Sequence, residues 1–254
     1  MNFSISKRGS WIPLAILLSP VAAFATTIVV VRTANFILIA ADSKATWRGT
    51  PGAPAVCKIY RNGDFYFAIG GIDHDGARNF YVKDLVADGA KSASRFEARL
   101  AVAQQEISPR FLLRMKRLRA EDPDSFKIEM AEPGPQLSVA FAQMENGAPL
   151  FAVRGFEYFD GPPARVELSR DDCPGKDCPS GRQIEYMGKR NAIETYSASH
   201  DVWSVDPVVL ARKFVELEIR DEPSAVGPPI AILKLDSSGA RWISSGCDCP
   251  IVVP

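Results

Sequence analysis

The sequence has no excess of charge of either sign, few histidines, and no repeated or low-complexity segment. Lys and Arg together number 30, as do Asp and Glu, so the formal net charge is zero. The absence of a basic excess argues against a nucleic-acid partner. Two isolated histidines, His74 and His200, are too few for a catalytic zinc site, and neither a metal nor a cofactor is predicted.

The first 25 residues differ in composition from the rest of the chain. Lys7 and Arg8 give a positive start, an apolar run covers residues 11–18, and Ala23-Phe24-Ala25 supplies the small residues that a signal peptidase reads. The apolar run is too short for a good membrane span. The pattern predicts a signal peptide over residues 1–25 and one domain over residues 26–254, exported to a periplasm or secreted, without a stable membrane anchor. An uncleaved anchor is the alternative.

Five cysteines agree with export, because disulfides form in oxidising compartments. Four of them lie in two polar loops, at Cys173, Cys178, Cys247 and Cys249. They predict one or two disulfides, formed either within each loop or between the loops. A four-cysteine zinc site is the alternative, although the spacing differs from the usual zinc knuckle. Cys57 is left over and is interpreted as a small buried thiol.

Short apolar runs open the mature chain. Residues 27–32 and 36–41 are predicted to form a hairpin, and their continuous apolar character indicates strands that are covered on both faces. Asn62-Gly63 and Asn146-Gly147 each predict a tight type I′ turn between two further strands.

Helical patterns follow the second hairpin. The first has Ala77, Tyr81 and Leu85 on one face, and the second begins near Phe96 and is interrupted at Pro109. A later helix is predicted to begin after Asp206 as its N-cap, with Pro207 at the first helical position. Helices therefore come in blocks between groups of strands. This order predicts an α+β fold in which antiparallel sheets are covered by layers of helices.

Cleavage after Ala25 would make Thr26 the first residue of the mature protein. A threonine hydroxyl is a poor nucleophile unless a base removes its proton. The α-amine of the same residue has a pKa of about 8, close to working pH, where a general base is most effective. An N-terminal threonine with its own amine is a known activated nucleophile.

The residues after Thr26 carry a family resemblance. The mature chain begins Thr-Thr-Ile-Val, Asp42 follows 16 residues after Thr26, Lys58 follows 32 residues after it, and Gly70-Gly71 ends the next strand pair. Over residues 26–72 this resembles proteasome β-subunits and the related bacterial ATP-dependent protease. The resemblance implies the four-layer αββα sandwich of N-terminal nucleophile (Ntn) hydrolases and a peptide or small amide as substrate. Because that fold commonly self-associates, the resemblance also leaves open whether the protein forms a homo-oligomer.

The resemblance assigns a role to each matching residue. Thr26 would be the nucleophile, Lys58 would lower the pKa of its amine and hydroxyl, and Asp42 would hold Lys58 in place. The backbone N–H of Gly71, or of Gly70, would stabilise the developing oxyanion. Substrate main chain would bind Thr46, and the specificity pocket would be lined by Ala45, Val56 and Tyr60.

Two later segments depart from the family pattern. Lys189 stands where the family has a serine that supports the amine. Before the last strands, Val226 and Pro223 stand where the family has a serine and an aspartate, and Asp221 or Ser224 would replace them only after a loop shift. A non-catalytic exported domain of the same fold is therefore the alternative function.

Overall fold

The computed structural model describes residues 26–45, 55–75, 80–174, 178, 181–245 and 249. Residues 1–25, where the signal peptide is predicted, lie outside the described residues, as do Thr46, Ala77 and Cys247. Within the described ranges, no helix is both long and apolar enough to cross a membrane.

Two five-stranded antiparallel sheets form the body of the fold. Sheet I contains, in spatial order, β10 (Gln183–Gly188), β1 (Thr27–Arg32), β2 (Phe36–Asp42), β11 (Ile230–Asp236) and β12 (Gly239–Ser245). Sheet II contains β3 (Ile59–Asn62), β4 (Phe65–Gly71), β7 (Leu137–Glu145), β8 (Ala148–Phe159) and β9 (Arg165–Cys173). A separate short pair is formed by β5 (His74–Asp75) and β6 (Phe80–Tyr81).

Helices cover the outer face of each sheet. The described helices are α1 (Val82–Lys91), α2 (Phe96–Glu121), α3 (Pro123–Glu129), α4 (Asn191–Ser199) and α5 (Pro207–Asp221). One apolar core lies between sheet II and the α1–α2 pair, a second lies between the two sheets, and a third lies between sheet I and the α4–α5 pair. The fold is therefore α+β, as the order of elements predicted.

Strand β1 shows why the first hairpin has no polar face. Ile28 and Val30 point into the core between the sheets, whereas Val29 and Val31 point toward α4 and α5. Each such side chain contributes about 1.5–3 kcal/mol through burial, so both faces stabilise the strand. The prediction that this hairpin is covered on both faces is confirmed.

The two predicted hairpin turns can be compared with the structure. Asn146 and Gly147 have φ values of 53° and 79°, as a type I′ turn requires, so that prediction is confirmed. In the other hairpin Asn62 pairs with Phe65, so the turn residues are Gly63 and Asp64, one position later than predicted.

The cap of α5 is also as predicted. The carboxylate of Asp206 accepts hydrogen bonds from the backbone N–H groups of Val208 at 2.9 Å and Val209 at 3.1 Å. Pro207 occupies the first helical position, where its missing N–H costs no hydrogen bond.

Helix α2 corrects the expected break at Pro109. The helix runs for 26 residues and contains Pro109 in its interior. A proline removes one backbone hydrogen bond, but residues before and after it share one buried face, including Ile107, Phe111 and Met115. Packing of that face on sheet II outweighs the local loss. The short helices α3 and α4 and the half-exposed strands β9 and β10 were not predicted.

Two disulfides are present in the described residues. Cys173 bonds to Cys178 and Cys57 bonds to Cys249, with Cα–Cα distances of 5.2 and 4.9 Å, within the usual range. Pairing within the first loop is confirmed. Cys249 follows neither alternative, since it pairs with neither Cys247 nor a cysteine of the other loop. The free thiol predicted at Cys57 is wrong, because the fold brings residues 192 positions apart into contact. Three of the four cysteines of the alternative zinc site are therefore in disulfides and do not act as zinc ligands.

Candidate active site

Asp42 lies at the end of β2, fully buried, and its carboxylate accepts hydrogen bonds from four donors. Its Oδ1 accepts from the backbone N–H of Thr27 at 3.0 Å and from Lys58 Nζ at 2.8 Å. Its Oδ2 accepts from the backbone N–H groups of Lys44 at 3.1 Å and Gly227 at 3.2 Å. A buried carboxylate is tolerated when it is paired and hydrogen-bonded. The surrounding backbone therefore fixes this charge in one position.

The register of the first hairpin explains why Asp42 reaches the start of β1. Ile28 pairs with Ala41, so the next residue along β2 lies beside Thr27. Since Thr26 directly precedes Thr27, the Asp42 carboxylate lies at the same end of sheet I as Thr26. Lys58 arrives from the segment before β3, so the ion pair joins the two sheets.

Lys58 directly precedes β3, on a segment that passes the end of β2. The backbone N–H of Val56 donates to the carbonyl of Ser43 at 2.8 Å, and that of Ile69 donates to the carbonyl of Lys58 at 3.4 Å. The Lys58 side chain is only 9% exposed, so little water screens its charge. One carboxylate oxygen separates Lys58 Nζ from the backbone nitrogen of Thr27.

Thr26 is held between the two sheets and is 8% exposed. Its carbonyl oxygen accepts a hydrogen bond from the backbone N–H of Lys189 at 2.9 Å. Its side chain lies against Gly70, where an added Cβ would be 3.9 Å from Thr26 Cγ2. Gly188 has a φ of 78°, and a Cβ there would overlap the carbonyl oxygen of Thr26. Only glycine at position 188 permits this close approach.

Gly70 and Gly71 end β4 next to Thr26. Gly71 has a φ of 90°, and a Cβ there would overlap the carbonyl oxygen of Gln136. That carbonyl also accepts a hydrogen bond from the backbone N–H of Ile72 at 2.9 Å, which fixes the turn. Close backbone approach therefore explains Gly71, whereas a Cβ at Gly70 would make only ordinary side-chain contacts, at 3.6 Å or more. Their role as oxyanion donors stays a prediction.

Lys189 occupies the side of Thr26 that faces β10. Its carbonyl accepts a hydrogen bond from Thr27 Oγ1 at 3.0 Å, and its ammonium pairs with Glu132 and with Glu222, the latter at 3.2 Å. Burial disfavours its charge, but the two carboxylates outweigh burial and raise the pKa of Lys189. Glu222 thus lies close to Lys189 and to the start of β1. Ser224 is exposed, and Asp221 lines a groove between α4 and α5.

A cavity of about 560 Å³ opens beside Gly70 and extends between the sheets. Its floor is a row of small residues that are partners in register across β4, β7, β8 and β9, namely Gly70, Ser138, Gly155 and Ser169. The small serines leave space that larger side chains would fill, whereas at Gly155 an added Cβ would overlap Pro135 and Ser169 Oγ. The cavity also has acidic walls, contributed by Glu129, Glu132, Asp171, Glu185 and Glu194.

The surroundings raise the pKa of two of these carboxylates. Burial raises the pKa of Glu129 to about 7, with Arg114 opposing the change and Glu132 adding to it. Burial also raises the pKa of Glu185, although the amide of Gln183 donates a hydrogen bond to it at 2.6 Å. Sequence reasoning missed this acidic cavity, because its walls come from distant elements and share no local motif.

The predicted specificity residues lie away from this cavity. Ala45 is half-buried and Val56 is exposed, both near the segment that carries Lys58. The ring of Tyr60 stacks on Phe67, 5.3 Å between centroids, and packs toward α1 and α2; burial raises the pKa of its hydroxyl. The described walls of the cavity come instead from α3, α4, β4, β7–β10 and the segments that flank them. Thr46, the predicted main-chain contact, lies outside the described residues.

Neither protein-family models nor curated proteins gave a match for this chain. Within the described ranges, no group of three or more His, Cys, Asp or Glu side chains is arranged to hold a metal ion. The function of the chain is therefore inferred from its own residues and their geometry.

Proposed function

We propose that the protein is an exported N-terminal-threonine hydrolase of the Ntn class, acting on a peptide or a smaller amide. Thr26 is the nucleophile, and it becomes active when a signal peptide is removed after Ala25. The observation that carries this proposal is the buried Lys58–Asp42 pair, whose shared oxygen also binds the backbone N–H of Thr27. This arrangement puts a fixed ammonium group next to the first residues of the mature chain.

The chemistry follows from the two functional groups of Thr26. Its free amine takes the proton of the hydroxyl, and Oγ1 attacks the amide carbon of the substrate. The C–N bond breaks, the proton passes to the leaving amine, and an ester to Thr26 remains. Water then attacks this ester with the same amine as base, and the acid product leaves. The protein ends unchanged, and one amide bond has been hydrolysed.

Lys58 supports these steps through its charge. An ammonium group beside the Thr26 amine disfavours a second positive charge, so it lowers the pKa of that amine and keeps it available as a base. The same charge stabilises the alkoxide as the hydroxyl proton leaves. Asp42 does not react in this scheme. It acts as a positioning residue that keeps Lys58 in place.

The fold gives independent support. Two antiparallel sheets pack on each other and carry helices on their outer faces, which is the layer order of the Ntn fold that the resemblance implies. Thr26 directly precedes β1, an interior strand of sheet I, and Gly70 at the end of β4 in sheet II lies against it. The cavity is lined by Gly70 and Gly188, which both lie against Thr26, and it offers room for a substrate there.

A second candidate function is binding without catalysis. Lys189 stands where the family has a serine, and its side chain is engaged by Glu132 and Glu222. If that corner cannot support proton transfer to and from the Thr26 amine, the exported domain would keep the fold and bind a ligand between the sheets.

Covalent labelling distinguishes the two functions. The mature protein, produced by export, is treated with a β-lactone or epoxyketone probe and analysed by intact mass. The hydrolase should gain one adduct, and a Thr26→Ala variant should gain none. Thr195→Ala, which removes an exposed hydroxyl on α4, is the matched control and should label like the wild type. Equal labelling of wild type and Thr26→Ala would remove Thr26 from the reaction.

A further inference from the structure

The Cys57–Cys249 disulfide lies directly beside the proposed catalytic lysine. Cys57 is the residue before Lys58, and Cys249 follows β12, the last strand of sheet I. Both cysteines pack against the apolar core between the two sheets. The bond therefore fixes the segment that carries Lys58, at the entrance to sheet II, to the C-terminal segment that leaves sheet I.

Two backbone hydrogen bonds hold this segment, a short one from Val56 to the Ser43 carbonyl at 2.8 Å and a long one at Lys58 itself. Residues 55–58 precede β3, and β3 is the edge strand of sheet II. The carbonyl of Lys58 is bound by Ile69 at 3.4 Å, which is long for a ladder hydrogen bond. The end of an edge strand frays most easily, because it has partners on one side only. A covalent bond at the adjacent residue opposes that fraying.

We infer that the Cys57–Cys249 disulfide is a positioning element for the reaction, holding the Lys58 ammonium on Asp42 and thus beside Thr26. This inference rests on the proposed function. Formation of the bond in an oxidising compartment would then raise the activity that removal of the leader makes available. The other disulfide, Cys173–Cys178, joins residues five apart at the end of β9 and has no such role.

The physical consequence is a change in the pH profile. When Lys58 spends less time on Asp42, the Thr26 amine loses a nearby positive charge and its pKa rises. Because the free amine is the base, the acid limb of the rate profile must then move to higher pH. A loss of stability alone would lower the amount of active protein without moving this limb.

The test measures the pH dependence of labelling by the β-lactone probe for three exported proteins: wild type, Cys57→Ser/Cys249→Ser and Cys173→Ser/Cys178→Ser. Rates are taken at a temperature where circular dichroism shows each protein folded. In Cys57→Ser/Cys249→Ser, the midpoint of the acid limb should rise by about half a pH unit or more. At pH values below the midpoint, this shift lowers the labelling rate about threefold. The midpoint should stay at the wild-type value in the second variant.

A double-mutant cycle shows whether the disulfide acts through Lys58. In a Lys58→Met background, removal of Cys57 and Cys249 should produce no further shift of the midpoint, because the charge is already absent. If the double serine variant does not fold, the folded wild type is reduced with a phosphine, and mass mapping identifies the open disulfide before labelling.

The outcomes separate this inference from the proposed function. A wild-type protein that does not label would refute the hydrolase itself. A wild type that labels, together with an unchanged midpoint in folded protein lacking the Cys57–Cys249 bond, would overturn only the positioning role. An equal shift on removal of Cys173–Cys178 would do the same.

Discussion

Two lysines flank the start of β1, and their surroundings differ. Lys58 pairs with a carboxylate that is fully buried and held by three backbone N–H groups. Lys189 is also nearly covered, at 13% exposed, but its partners Glu132 and Glu222 are 65% and 27% exposed. A fixed, dry pair gives a constant field, whereas a wetter pair is screened and mobile. In the proposed function, Lys58 is therefore the lysine that supports the reaction, and Lys189 only shapes the surroundings of Thr26.

The largest effect is expected from Lys58→Ala. Hydrolysis, or the rate of probe labelling, should fall by a factor of about 10² or more, because the field at the Thr26 hydroxyl is lost. The fold should persist by circular dichroism, since Asp42 keeps its three backbone donors. Lys234→Ala is the matched control, because its pair with Asp236 lies at the far side of sheet I. Unchanged turnover in Lys58→Ala would contradict the supporting role that is assigned to Lys58 and not to Lys189.

Gly188→Ala should have the next largest effect. Position 188 has a positive φ and no room for a Cβ beside the Thr26 carbonyl, so the corner must move. Gly147→Ala is a matched control, since its φ is also positive but nothing lies within 4 Å of a Cβ there. Chemical denaturation should show a loss of about 1 kcal/mol for Gly147→Ala and clearly more for Gly188→Ala. Equal losses would mean that the Thr26 carbonyl is not held as described.

Glu129→Gln tests the acidic side of the cavity. Burial raises the pKa of Glu129 from 4.5 to about 7, so the folded state binds its proton more tightly than the unfolded state. The free energy of unfolding should therefore fall as pH rises from about 4.5 to about 7. In the variant this fall should shrink by up to about 2 kcal/mol, allowing for partial exposure.

Urea unfolding at pH 4.5 and 7.5 measures that difference. Glu216→Gln, which alters an exposed carboxylate on α5, provides the control and should keep the wild-type dependence. A Glu129→Gln variant with the same pH dependence as wild type would show that the cavity wall is wet rather than apolar.

Lys189→Met should have the smallest effect on stability, about 1 kcal/mol, because both of its partners reach solvent. The raised pKa of Lys189 means that its ion pairs stabilise the fold fully below about pH 10.5 and are lost as pH rises through the folded value. Thermal unfolding should thus show a smaller difference from wild type at pH 11 than at pH 8. A difference that is equally large at both pH values would indicate a packing role for the side chain.

Sequence could predict much of the Lys58 side of the site and little of the Lys189 side. Asp42 ends β2 and Lys58 directly precedes β3, and their spacing from Thr26 is visible in the sequence. The partners of Lys189 come from unrelated elements, and Glu132 is 57 residues away. No periodicity or motif links such residues, so only the folded chain brings them together.

The same reasoning applies to the fold. The buried hairpin and the cap at Asp206 follow from local chemistry and were predicted. The continuity of α2 through Pro109 depends on packing against sheet II, which outweighs a local rule. The Cys57–Cys249 bond depends on how the two sheets pack, so cysteine spacing could not indicate it.

The identity of the first residue tests the central claim most directly. After export and treatment with the β-lactone probe, the protein is digested, and the N-terminal peptide is sequenced by tandem mass spectrometry. The account predicts a peptide that starts at Thr26, has a free α-amine and carries the adduct on its hydroxyl. A chain that starts elsewhere, or an adduct on any other residue, would contradict it.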